Sequence, residues 1–218
     1  MDMTKWFQVF LFFSVTLCSS HSLKAISLDD FLDLFGKNNP DKNHNKGPIS
    51  VKVSLNNQAL YVLEGKKVVL ATHVCTGKRN STPTGHFKVL DKQMKKRSAS
   101  YGFWVKADRY VSSDISGCPG EGWKYVGYPM PYAVEFLPGY YIHQGYVWPI
   151  PRSHGCIRLE WKEAEKFYKL VAIGTPVSIQ QTQPEDNKIG RRLKQPKSYK
   201  EPDPSPSLLA SERAFNPY

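Results

Sequence analysis

The sequence predicts a mostly β domain with a single helix late in the chain, and three observations carry that prediction. From Ile49, the apolar residues Val51, Val53 and Leu55 alternate with Lys52 and Ser54, the period of a half-buried strand. Asn56-Asn57 and Glu64-Gly65-Lys66 then set off the runs Ala59–Leu63 and Val68–Val74, so the domain opens as a β-meander. Helical spacing within the domain occurs only at Trp161–Ala172, where Ala164, Phe167, Tyr168 and Val171 make one apolar stripe before Gly174.

The N-terminal residues read as an export signal. Lys5 is the one positive charge ahead of an apolar run from Trp6 to Leu17, and Cys18, Ser19 and Ser20 follow as small residues. A membrane span needs about 20 apolar residues, so a cleavable signal over residues 1–20 is expected, with an uncleaved anchor as the alternative. Leu17 stands where a lipidation site at Cys18 would need a small residue. Residues 21–48 hold one short helix and a linker. Ser27 can cap the helix, Leu28, Phe31, Leu32 and Phe35 fall on one face, and Gly36 can end it. Asn-, Asp- and Pro-rich residues 38–47 make the linker.

Residues 49–180 are the expected domain, and about 130 residues build one core of ordinary size. Beyond the meander, β segments are expected at His86–Leu90, Tyr101–Val105, Ala133–Phe136 and Tyr140–His143, with a closing strand at Thr175–Gln180. The stretches Asp91–Ser100 and Gly117–Tyr128 read as surface loops flanking a groove. Residues 181–218 are rich in proline, lysine and arginine and poor in apolar residues, the composition of a disordered tail.

The formal net charge of +11 raises nucleic acid as a partner. No nucleic-acid-binding motif accompanies it, and the export signal points the other way. A basic surface suits an exported protein working in the periplasm or cell envelope, near anionic polymers and lipids.

The chemistry concentrates in Tyr141-Ile142-His143-Gln144-Gly145 and Arg152-Ser153-His154-Gly155-Cys156-Ile157-Arg158-Leu159. A thiol becomes a nucleophile as its thiolate, and a neighbouring imidazole is the usual means of making one. Gly155 leaves the backbone beside Cys156 uncovered, so amide donors there are placed to take the oxyanion of acyl transfer. Two other readings use the same residues: Cys156 as a small buried hydrophobe, or the Cys/His cluster as a zinc site.

Ser153-His154-Gly155-Cys156-Ile157-Arg158-Leu159 resembles the motif of the L,D-transpeptidase catalytic-domain family, cysteine enzymes that remodel peptidoglycan. Thr82-Pro83-Thr84-Gly85-His86-Phe87 resembles the family's upstream Thr-Pro-x-Gly-x-Phe element. Pro129-Met130-Pro131-Tyr132 and Gly174-Thr175-Pro176-Val177 resemble two further segments, in family order across about residues 49–180. Gln144 intervenes between His143 and Gly145, and the span from His143 to Ser153 is short, as in the branch with a His-x-Gly…Ser-His-Gly-Cys pattern.

The resemblance implies a β-sandwich with one helix following the catalytic cysteine, and no cofactor or metal. It implies Cys156 as nucleophile and His143 as proton acceptor and donor, with His154 the competing base. A carbonyl near Gln144 would orient His143, and the Gly155 and Cys156 amides would hold the oxyanion. Ser153 and His154 would shape the pocket, and Arg158 would meet a substrate carboxylate or form a structural ion pair. The implied donor and acceptor are peptidoglycan stem peptides, with release of D-alanine and formation of a cross-link. A carboxypeptidase or cross-link-cleaving hydrolase would use the same site. Outside residues 1–20 the cysteines are Cys75, Cys118 and Cys156. They allow three free thiols, or a Cys75–Cys118 bridge that spares Cys156.

Overall fold

The computed structural model describes residues 47–197 and 200–216. The expected export signal, the helix at 27–35 and nearly all of the linker therefore lie outside the described residues. Among the described residues, no helix is long and apolar enough to cross a membrane.

Three sheets make up the mostly β domain. The first contains β1 (Ile49–Ser54), β2 (Ala59–Glu64), β3 (Lys67–His73), β4 (Gly85–Lys88) and β12 (Pro176–Gln180), in the order β3-β2-β1-β12-β4. The meander is present, and β1 is its inner edge: it pairs antiparallel with β2 and parallel with β12, Val51 facing Val177 and Val53 facing Ile179. The second sheet contains β5 (Asp91–Gln93), β9 (Ala133–Leu137), β10 (Tyr140–Gln144) and β11 (Ile157–Leu159), in the order β11-β10-β9-β5. The apolar residues of these two sheets close on one core: Val51, Val53, Phe136, Ile142, Ile157 and Ile179 are all buried. Helix α1 (Trp161–Leu170) follows β11 and adds the fully buried Ala164 and Phe167 to that core. It ends at Leu170 because Val171 turns extended; Gly174 takes its positive φ later, in the turn into β12.

The third sheet corrects the loop assignments. Strands β6 (Arg97–Lys106), β7 (Arg109–Asp114) and β8 (Lys124–Pro129) form a three-stranded flap in the order β7-β6-β8, and β5 occupies part of the other expected loop. The expected segment Tyr101–Val105 lies inside β6, whereas β7, β8 and the start of β6 carry Arg, Ser, Asp and Lys on exposed faces and show no apolar alternation. The hairpin turns through Ala107 at φ 52°, without the glycine that usually announces such a turn.

The tail is also corrected. Residues 183–197 and 200–216 return across the domain instead of trailing from it. Gln183 is 5 % exposed, and its amide donates to Val53 O and Ser178 O. Asp186 accepts from Ser54 Oγ at 2.7 Å and Tyr61 OH at 2.8 Å. Lys52 and Glu185 meet at 2.6 Å, and Ile189 and Leu193 cover Ala59, Tyr61 and Leu63. Composition misses this docking because a few well-placed polar groups, rather than a hydrophobic run, hold the segment. The short helix α2 (Pro206–Ala210) and the buried Phe215 complete the return.

Candidate active site

The site is assembled where β10 and β11 run parallel. Their register places Ile142 against Ile157 and His143 against Arg158, so the residue before β11, Cys156, comes beside Tyr141. The Tyr141 N–H donates to the Cys156 sulfur. Cys156, His143, Ser153, His154 and Arg158 share a cavity of about 710 Å³, walled on its far side by the flap at Ser98–Gly102 and Ser112–Asp114.

His143 is 2 % exposed, and its Nδ1 lies 2.6 Å from the carbonyl oxygen of Gln144. A carbonyl only accepts, so Nδ1 carries the proton and Nε2 keeps the lone pair. Burial, and next the Arg158 cation, hold the imidazole down to about 3, against the raising effect of the Gln144 bond. Burial also pushes the Cys156 thiol up; the Tyr141 N–H and Arg158 oppose it without reversing it. The resting pair is therefore a neutral thiol and a neutral imidazole.

His154 sits differently. It is exposed, and its ring stacks on Tyr101 of the flap at 4.0 Å and 7°. Burial, then Lys78 and Arg158, lower its pKa.

Ser153 builds the turn around the thiol. It is 1 % exposed, its hydroxyl donates to Cys156 O at 2.6 Å, and it accepts the Gly155 N–H at 3.0 Å. That last bond corrects the expected pair of oxyanion donors: the Gly155 amide is already engaged within the turn. Gly155 itself is required there. Its φ is +137°, and a Cβ would come within 2.7 Å of the Tyr140 ring. Gly145 serves Arg158: a side chain at 145 would meet Arg158 Cδ at 2.9 Å, so the glycine lets the arginine stem lie flat across β10. The guanidinium then reaches over the Tyr128 ring at 5.7 Å. Among the described residues, Arg158 Nε is buried without a hydrogen-bond partner, and no carboxylate pairs with this arginine.

Thr82, which opens the Thr-Pro-Thr-Gly element, has a role that the sequence leaves unstated. It is 2 % exposed, accepts the Gly77 N–H at 2.7 Å and donates to Gly155 O at 2.8 Å. It therefore ties the Thr-Pro-Thr-Gly turn to the cysteine turn across 73 residues. Thr82→Val should lower stability by about 2–6 kcal/mol, because two buried backbone groups lose their partner at about 1–3 kcal/mol each; urea unfolding of the variant measures it.

Cys75, Cys118 and Cys156 are free thiols. Cys75 is buried beneath the site and donates to Ile150 O, whereas Cys118 is exposed and bonded to Gly120 O. Tyr146 faces a second cavity beside the first. Trp148 lies under the Arg152 guanidinium at 4.6 Å. Among the described residues, no cluster of three His, Cys, Asp or Glu side chains is arranged to hold a metal ion.

The family model of the L,D-transpeptidase catalytic domain matches residues 48–179. Solved structures with a similar arrangement include an L,D-transpeptidase from Stackebrandtia nassauensis, 23% identical, covering 66% of this chain and 63% of that one, with a TM-score of 0.45. An L,D-transpeptidase from Mycobacterium smegmatis is 20% identical over 61% of this chain and 58% of that one, at TM-score 0.45. L,D-transpeptidase 1 of Mycobacterium tuberculosis is 22% identical over 61% of each chain, at TM-score 0.43. The present chain thus spans about three fifths of the length of each. No curated protein matches the sequence.

Proposed function

Because this chain belongs to the L,D-transpeptidase catalytic-domain family, we propose that it is an exported enzyme of the periplasm or cell envelope that acylates Cys156 with a peptidoglycan tetrapeptide stem and passes the acyl group to an amine. The observation that carries this reading is the shared cavity. It holds a thiol, a buried imidazole with its proton fixed on Nδ1, and an arginine whose buried Nε has no partner among the described residues.

Cys156 Sγ attacks the carbonyl at the L-centre of the stem's diamino acid while its proton passes to His143 Nε2. The new C–S bond leaves a tetrahedral oxyanion, to which the Cys156 N–H donates in place of the committed Gly155 amide. Collapse breaks the amide C–N bond, and His143 returns its proton to the departing D-alanine amine. An acceptor amine then attacks the thioester, loses its proton to His143, and expels the thiol to leave a cross-link. The basic surface suits work among anionic wall polymers.

His143 fits the base role better than His154. It is buried and lines the cavity that holds the thiol, with one tautomer enforced, whereas the exposed His154 ring is committed to stacking on Tyr101. Arg158 fits the terminal carboxylate of the stem, since its planar fork matches that group. Arg158→Gln should cut kcat/KM about 10- to 100-fold for a stem with a free terminal carboxylate, at about 1.5–3 kcal/mol for a charged hydrogen bond. It should have little effect on the amidated stem. An equal loss on both stems would remove the carboxylate from the argument.

Intact-protein mass spectrometry after mixing with a purified disaccharide-tetrapeptide tests the whole reading. A transient adduct on Cys156, free D-alanine and a cross-linked dimer are expected. Adduct and D-alanine with tripeptide but no dimer would make the enzyme a hydrolase. No adduct and no turnover would overturn the donor assignment.

A further inference from the structure

The end of the chain lies outside the residues matched to the family, yet it fastens the surroundings of the site. The Lys197 N–H donates to Glu160 Oε1 at 2.6 Å, just past β11. Tyr146 OH donates to Pro202 O at 2.6 Å. The strongest anchor is Arg97, the first residue of β6. Its guanidinium donates to the carbonyls of Leu209 at 3.0 Å, Ala210 at 3.4 Å and Ser211 at 2.8 Å, and also to Gly127 O of β8 at 3.0 Å. Those first three oxygens close the C-terminal end of α2, where carbonyls lack helical partners and the helix dipole favours a cation. The same guanidinium lies 4.9 Å over the ring of Phe215, which is 8 % exposed. An arginine fork on several carbonyls above a buried ring is a firm joint. The Glu212 ion pair at 3.5 Å is exposed on the acid's side and adds little.

From this joint β6 runs along the wall of the cavity that holds the thiol. Tyr101, four residues on, stacks on His154, and His154 is two residues from Cys156. The β6–β8 register slips between Arg97 and Gly102, so residues 98–101 bulge from that ladder while walling the catalytic cavity. A bulged wall takes its position from its ends: one is the Tyr101–His154 stack, and the other is Arg97 with the chain end it grips.

We propose that Arg97 is a positioning residue through which the C-terminal segment 200–216 sets the flap over Cys156 for acylation. This rests on the reading of Cys156 as a nucleophile toward stem peptides. The flap meets the bound peptide, whereas a small alkylating reagent can reach the sulfur without it.

The test uses the full-length chain and three variants: Arg97→Gln, Arg97→Lys, which keeps the charge without the fork, and Phe215→Ala, which loosens the tail and leaves every residue of β6 unchanged. Three quantities are compared: hydrogen exchange in the flap, tetrapeptide acylation of Cys156 by mass spectrometry, and iodoacetamide alkylation of Cys156. With cooperative unfolding retained, exchange at 98–102 and 112–114 should rise about tenfold or more in Phe215→Ala and Arg97→Gln. Acylation should fall about 10- to 100-fold, the scale expected when a positioning group shifts by an ångström, while alkylation stays within about twofold. Arg97→Lys should fall between. If Arg97→Gln does not fold, Phe215→Ala decides alone. Unchanged flap exchange in a variant whose residues 208–216 exchange faster would overturn the proposal, and so would loosened flap exchange with undiminished acylation. If the wild-type chain itself forms no tetrapeptide adduct, the substrate reading fails instead, and flap exchange, which needs no substrate, still decides whether the tail sets the flap.

Discussion

Cys156→Ser should fold normally and lose acylation by on the order of 10⁴-fold or more, the scale seen when a nucleophile acting as part of a unit is removed. The retained fold is expected because the turn does not depend on the sulfur. Ser153 and Thr82 hold both flanks of residue 156 through backbone atoms. The size of the loss follows from proton affinities. The thiol is neutral at rest, raised by burial, and its base is a weak one at about 3. A hydroxyl is a far weaker acid than a thiol, so its proton transfer to the same imidazole would be far more uphill. The thiolate that appears as the proton leaves is itself the charge that steadies the imidazolium, so transfer and attack proceed together rather than from a standing ion pair. Iodoacetamide trapping should accordingly be slow at neutral pH and rise toward a midpoint above the usual cysteine value of about 8.5. Fast alkylation at pH 6 would show a standing thiolate and overturn this account. Single-turnover D-alanine release with intact mass of both proteins measures the main effect; a serine variant within tenfold of wild type would mean that another group attacks.

The parts of this arrangement that were legible in the sequence are local. Val51, Val53 and Leu55 declare a strand because period two needs only neighbours, and Ala164, Phe167 and Val171 declare a helix face for the same reason. The Ser-His-Gly-Cys turn was legible because its chemistry is packed into consecutive residues. What was not legible depends on distant partners. Outside Tyr101–Val105 the flap presents solvent-facing Ser, Lys and Asp, and it turns at a non-glycine residue with positive φ, so the rest of its strands match loop composition. That Tyr101 stacks on His154 follows from a fold-back spanning more than fifty residues, and no property of either residue announces it. The Gly155 amide was expected to be free because sequence does not show that Ser153, two residues earlier, turns its hydroxyl back onto it. The docking of the tail is not legible because Gln183 and Asp186 are ordinary polar residues until β1 and β2 present Val53 O, Ser54 and Tyr61 to them.

His143→Gln should separate two properties that one buried imidazole supplies. The first is catalysis: losing the group that accepts and returns the proton should cost about 10²- to 10⁴-fold in acylation, whereas His154→Gln should cost far less. The second is acid sensitivity. An unfolded histidine titrates near 6.5, and His143 in the folded chain near 3. Between those values the unfolded chain binds the extra proton, so stability falls as pH drops through the window, at about 1.4 kcal/mol per unit. Above about pH 6.5 both states hold a neutral ring and the slope from this residue vanishes. From pH 7 to pH 5, wild type should therefore lose about 2 kcal/mol more than His143→Gln, whose side chain does not titrate. Urea unfolding of both proteins at the two pH values gives the difference directly. The same buried neutrality bears on rate: kcat/KM should not fall through an apparent pKa near 6.5 on the acid side, since His143 keeps its lone pair well below that. Matching stability slopes in the two proteins, or an acid limb near 6.5 that persists in His154→Gln, would mean that His143 is protonated in the working range and cannot be the resting base.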